Sequence, residues 1–96
     1  MNELRFSWSH AKAADNVRKH RVTFEEAVTV FDDPHLFVEY DATHSDREYR
    51  EMNIGFSANS RVLMVVTTDR YETIRIISAR RATQAESRRY AEQGNG

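Results

Sequence analysis

Val62-Leu63-Met64-Val65-Val66 is an unbroken apolar run between Arg61 and Thr67-Thr68-Asp69. An apolar run without alternation cannot keep one side in water, so it reads as a central strand covered on both faces. The rest of the chain must therefore supply a sheet around it and cover for that sheet. Leu36 to Tyr40 reads as one further strand. Arg47 to Phe56 alternates, with Met52, Ile54 and Phe56 sharing a face, and Thr73 to Ala79 places Ile74 and Ile76 opposite Arg75 and Ile77. Polar turns over 41–46, 57–60 and 69–72 join them, and strands linked so closely pair most simply as an antiparallel meander.

The helices announce themselves through their starts. Thr23-Phe-Glu-Glu26 and Thr83-Gln-Ala-Glu86 both have the Thr-x-x-Glu spacing of a capping box, in which hydroxyl and carboxylate satisfy orphan backbone donors reciprocally. After the first box, Phe24, Ala27, Val28 and Phe31 form one buried stripe, and Asp32-Asp33-Pro34 ends the helix. After the second, a final helix that Gly94 can end carries Arg88, Arg89 and Tyr90 but little apolar surface, so loose docking is expected. Ahead of both, Leu4, Phe6 and Trp8 alternate as a short strand, and Ser9 caps a helix reaching about His20. In that helix Ala11, Ala14 and Val17 are expected inward, with Lys12, Lys19 and His20 more exposed. The order is β-α-α-β-β-β-β-α: an α+β fold in which a mostly antiparallel, curled sheet packs on helices.

With 96 residues the chain can close one core, so residues 1–96 are read as a single domain. Its 40% hydrophobic and 30% charged content is that of a globular protein. No apolar run approaches the roughly 20 residues of a membrane span. MNELRFSW at the N-terminus has no secretory apolar core, and there is no cysteine; a cytoplasmic location and no membrane partner are expected. The net charge of −1 conceals a division: +3 over residues 1–22, −7 over 23–60 and +3 over 61–96. Of the 14 basic residues 12 are arginine, the side chain suited to bidentate phosphate contacts and to stacking on bases.

The densest chemical pattern lies between Asp69 and Tyr90, where Arg70, Arg75, Arg80, Arg81, Arg88 and Arg89 stand between Tyr71 and Tyr90. Basic residues interleaved with aromatics suit RNA, guanidinium groups holding phosphates while rings stack on exposed bases. Arg75 shares a strand face with Ile77, so its charge needs a ligand or a carboxylate such as Glu48 or Glu51. His10, His20, His35 and His44 show no metal-ligand spacing, and Asp32-Asp33 is better explained as a helix stop than as a Mg²⁺ site. His44-Ser45-Asp46 are adjacent on one turn and cannot adopt a relayed triad geometry. No cofactor is implied. RNA cleavage without metal needs a base for the 2′-hydroxyl and cations for the phosphorane. His20 and Asp69 are the candidate proton handlers, and Arg75, Arg80 and Arg81 the candidate clamp. Lys12, Lys19, Arg70, Arg88, Arg89 and Tyr90 are candidate substrate contacts. His20 could equally serve only to complement the helix dipole.

Several segments together resemble the BrnT family of toxins from bacterial type II toxin–antitoxin modules. They are Phe6-Ser-Trp-Ser-His-Ala-Lys12, Asn16-Val-Arg-Lys-His20, Val22-Thr-Phe-Glu-Glu-Ala27 through Val30-Phe-Asp-Asp-Pro34, the His44-Ser-Asp46 turn, and Ile74-Arg-Ile-Ile-Ser-Ala-Arg-Arg-Ala-Thr83 with Glu86 and Tyr90. The resemblance implies a RelE-like ribonuclease fold, RNA cleavage that arrests growth, and neutralisation by a BrnA-like antitoxin of the ribbon-helix-helix type. It further implies two toxins flanking an antitoxin dimer, with operator DNA contacted only through the antitoxin. Arg21 stands where relatives often carry glycine, and Asp69-Arg70 where they commonly show Glu-Arg. Besides the endoribonuclease reading, two others fit the residues. One is a non-enzymatic corepressor of a DNA-binding partner, whose basic segment could cover the acidic stretch 23–60. The other is a single-strand RNA binder without cleavage.

Overall fold

The computed structural model describes residues 4–40 and 49–94. The turn expected over 41–46, with His44, Ser45 and Asp46, lies outside the described residues, as do Arg47 and Glu48. The elements run β1 (Phe6–Ser7), α1 (His10–His20), α2 (Phe24–Thr29), a 3₁₀ turn (Val30–Asp32), β2 (Phe37–Tyr40), β3 (Arg50–Phe56), β4 (Val62–Arg70), β5 (Thr73–Arg81) and α3 (Gln84–Gly94). This is the α+β order that the sequence implies.

Among the described residues the strands form one sheet in the order β1-β5-β4-β3-β2. The apolar run lies on the central strand β4. Leu63 and Val65 enter a core with Val22, Phe24, Ala27, Val30, Ile76 and Ala79, on the face covered by α1 and α2. Met64 and Val66 point the other way, to Ile54, Met52, Phe37 and Tyr90 under α3. β2 through β5 pair antiparallel, as a meander should. β1 departs from it: Phe6 and Ser7 lie parallel to Ile74 and Arg75 on the outer side of β5. Phe6 meets Phe31 with tilted rings at 5.0 Å and Trp8 meets Phe24 edge-on at 5.9 Å, so the aromatics in and just after this short strand anchor α2 and the 3₁₀ turn to the sheet.

The face of α1 differs from expectation. Ala11, Ala14 and Val17 are all exposed, while Ala13 is half-buried and Asn16 is buried. The Asn16 amide explains this rotation. It donates to Ala79 O at 2.7 Å and Val22 O at 2.9 Å and accepts from Ala79 N at 3.1 Å. One side chain thus satisfies both backbone groups that Ala79, paired with Val65 on its other side, turns to the outer edge of β5, which the weak alanine stripe could not do. Arg21, φ 59°, closes α1 in the left-handed region, its N–H bonded to Val17 O. An arginine there costs about 1 kcal/mol relative to glycine, and its carbonyl accepts from Arg61 Nη2 at 3.0 Å.

α3 is not loosely held. Its apolar surface is small, as expected, but Tyr90 packs on the second core and donates to Asp33 Oδ2 at 2.5 Å. Arg80 grips Glu86, and Arg89 reaches Glu39 at 2.9 Å.

Candidate nucleic-acid interface

Because β1 pairs with β5 only at Ile74 and Arg75, the outer edge of β5 is open beyond that point. The α1 helix passes along this edge, and Lys12, Asp15, Asn16, Lys19 and His20 recur at the spacing of one helical face. Together with Ile77 and Ser78 they line a cavity of about 150 Å³. Asn16 forms its buried wall, so the amide that fastens α1 to β5 also sets the position of the cationic side chains around it. Lys19 pairs with Asp15 at 3.4 Å on the exposed helix surface, a contact worth little in water. The His20 imidazole makes no hydrogen bond or ion pair among the described residues. It ends α1 together with Arg18 and Lys19, where a cation also complements the helix dipole.

A bulge in the β4–β5 ladder decides where the arginines of β5 point. Val66 pairs with Ser78 but Thr67 pairs with Ile76, leaving Ile77 as the extra residue. Strict alternation would put Ala79 with Arg75; instead Ile76 and Ala79 share the core under α1 and α2. Arg75, opposite Thr68, and Arg80, opposite Met64, consequently lie on the α3 face, and Arg81, opposite Leu63, on the other.

The expected site residues thus fall into separate groups. Lys12, Lys19 and His20 are brought together at the cavity. Arg75 is half-buried, three residues or about 10 Å along the strand from Ser78, and makes no ion pair among the described residues, with Glu51 or any other carboxylate. Arg80 is engaged: its Nη1 and Nη2 donate to Glu86 Oε1 and Oε2, each at 2.9 Å, and Nη1 also to Arg81 O. Asp69 pairs with Ile74 at the β4–β5 hairpin, about 13 Å along the strand from Ser78, so it and His20 do not form one acid–base pair. Arg70 shares that hairpin end, next to Tyr71, which is fully exposed at φ 57°. Arg88 and Arg89 are exposed on α3, and Tyr90 is turned inward.

The two more buried glutamate–arginine pairs hold charge in place. The Arg61 guanidinium beside Glu26 holds that carboxyl down at about 2 against the opposing effect of burial, with Ser57 helping. Arg80 likewise holds Glu86 below the ordinary carboxylate range. Burial is the largest influence on Asp33 and pushes it up, but hydrogen bonds from Tyr90 and from the backbone of Phe56 and His35 outweigh it, and the carboxyl lies low. Burial and the bond to Asp33 push the Tyr90 hydroxyl up to about 12. Among the described residues no three His, Asp or Glu side chains converge as a metal site, and no helix is long and apolar enough to cross a membrane.

Asn16, Ser78 and the Glu26–Arg61 pair are absent from the arginine-centred reading of the sequence. Asn16 leaves one trace: a polar residue midway along a helix whose apolar stripe is too thin to seat it. Nothing local indicates Ser78, since its place at the cavity depends on Asn16 fastening α1 to the adjacent Ala79.

The chain is thus a small α+β protein in which Lys12, Lys19 and His20 gather around a cavity between α1 and β5. Residues 8–86 match the model of the family described as ribonuclease toxin, BrnT, of type II toxin–antitoxin systems, and the chain belongs to that family. The fold is similar to that of the Brucella abortus ribonuclease toxin BrnT, known from a 1.1 Å crystal structure. The TM-score is 0.62 at 21% identity, over 85% of this chain and 100% of the Brucella chain. No curated protein sequence matches the chain.

Proposed function

We propose that this toxin cleaves RNA at the α1–β5 groove by attack of a 2′-hydroxyl on the adjacent phosphodiester. The observation that carries this reading is the convergence of His20, Lys12 and Lys19 on the open edge of β5. His20 accepts the 2′-hydroxyl proton as O2′ bonds to phosphorus. The P–O5′ bond breaks, and the departing oxygen takes a proton from the imidazolium or from water, leaving a 2′,3′-cyclic phosphate and a 5′-hydroxyl end. Base assistance of this kind contributes about 10²–10⁴-fold. Lys12 and Lys19 neutralise the phosphorane, and Arg81, on the sheet face that α1 and α2 cover, holds a flanking phosphate. The groove supplies both the base and the cations from side chains, so the reaction needs no metal ion. Arg80 acts through its grip on Glu86, which places α3 and its exposed Arg88.

In the cell the toxin arrests growth until a BrnA-like ribbon-helix-helix antitoxin captures it, two toxins to one antitoxin dimer, and the complex meets operator DNA only through the antitoxin. The test is inducible expression in a bacterial host lacking the antitoxin, following growth and bulk RNA. Arrest with RNA loss that persists in chelator-treated extracts, and that His20→Ala reduces at least about 100-fold, is the expected result. Normal growth with abundant folded protein would replace this reading with the corepressor one. Undiminished cleavage by His20→Ala would move the base elsewhere.

A further inference from the structure

On the acidic part of the chain, a second cavity of about 470 Å³ opens between the 3₁₀ turn, the β3–β4 turn and α3. Its apolar wall is made by Pro34, Ala58 and Phe56, a residue 47% exposed although it ends a strand of the sheet. Its polar side is anionic. Asp33 receives Phe56 N at 2.8 Å, His35 N at 2.9 Å and the Tyr90 hydroxyl, which together keep it charged and fixed. Asp32 stands exposed beside it, with no ion pair among the described residues. The linings of this cavity and of the basic groove share no residue.

We propose that this cavity is the seat of the antitoxin, taking a basic, apolar-flanked segment whose arginine or lysine pairs with Asp32 while its carbon stem or an adjacent apolar side chain covers Phe56. The inference rests on the toxin reading for the existence of that partner. Charge complementarity selects the occupant. Asp32 and Asp33 lie in the lining and no lysine or arginine does, so a phosphate backbone is repelled here, whereas a cationic peptide segment is drawn in. The aromatic wall strengthens the choice, because a guanidinium over an exposed ring gains a cation–π contact that a carboxylate or phosphate would not. A partner seated here holds the toxin by a surface separate from the groove where RNA lies.

The experiment titrates purified cognate antitoxin by calorimetry into the wild-type chain, Asp32→Lys and Phe56→Ser. Both side chains are exposed, so both variants should melt as wild type does and still arrest growth when expressed alone. Each is expected to weaken antitoxin binding by roughly tenfold or more, Asp32→Lys chiefly through slower association. Unchanged affinity in both variants, with a wild-type chain that arrests growth, overturns the seat and leaves the toxin reading standing. A wild-type chain that neither arrests growth nor degrades RNA overturns the toxin reading, while a calorimetric loss in the variants still supports the seat. If antitoxin affinity is unchanged and the variants instead lose RNA affinity or a concentration-dependent self-association, the seat belongs to RNA or to a second copy and the proposal fails.

Discussion

The two Thr-x-x-Glu boxes begin with the same local chemistry and end with different partners. At Thr83 the box closes on itself: Glu86 N donates to Thr83 Oγ1 at 3.1 Å, and Thr83 N donates to Glu86 Oε1 at 2.8 Å. At Thr23 only the first half forms, Glu26 N donating to Thr23 Oγ1 at 3.0 Å. The Glu26 carboxylate turns away to accept from Ser57 Oγ at 2.7 Å and from Arg61 at 2.8 and 2.6 Å, tying α2 to the β3–β4 turn. Glu86 does both jobs, because Arg80 reaches it without drawing it from the helix start. The motif starts a helix reliably; where its carboxylate goes depends on which arginine the fold delivers.

The largest break in this comparison is expected from Glu26→Ala. It strands the half-buried Arg61 and the buried Ser57 hydroxyl, and should cost about 3 kcal/mol, lowering the melting temperature by roughly 15 °C. The same pair governs acid stability. Glu26 titrates lower in the folded chain than in the unfolded one, so its stabilisation is present above about pH 5 and is lost as pH falls toward about 2. Glu26→Gln should therefore flatten the acid limb of a stability–pH curve more than Glu86→Gln does, and equal limbs would contradict the assignment.

Glu86→Gln comes next, at about 1.5–2 kcal/mol, because its pair with Arg80 is less buried. This variant also frees the Arg80 fork. If Arg80 then reaches a phosphate, the salt slope of RNA binding steepens by about 0.7, whereas an unchanged slope keeps Arg80 in a purely positioning role. The smallest effects belong to Thr23→Ala and Thr83→Ala, about 1 kcal/mol each by chemical denaturation. Near-equality there, against unequal effects at the glutamates, would separate the shared local bond from the tertiary one.

The candidate site was only partly legible in advance. Lys12, Lys19 and His20 stand out as exposed residues on one helix, and their grouping follows from helical spacing alone. Their meeting with Ile77 and Ser78 does not, since it requires α1 to turn Asn16 toward Ala79 across 63 positions of sequence. The arginine cluster of 70–89 is contiguous in sequence but divided in space, because the bulge at Ile77 sends Arg75 and Arg81 to opposite faces and Glu86 occupies Arg80.

What the sequence by itself determined is the element order, the central place of β4, the starts of α2 and α3, and the separation of basic ends from an acidic middle. Each of these follows from interactions within a few residues: side-chain periodicity, a hydroxyl three positions from an amide, a proline that excludes a helix. The tertiary structure alone decided that β1 runs parallel at the edge, that a buried amide orients α1, that Glu26 leaves its own cap, and that Phe56 stays exposed beside Asp32 and Asp33. These outcomes join residues tens of positions apart, and those of Asn16 and Glu26 are settled by which polar groups would otherwise be buried without a partner.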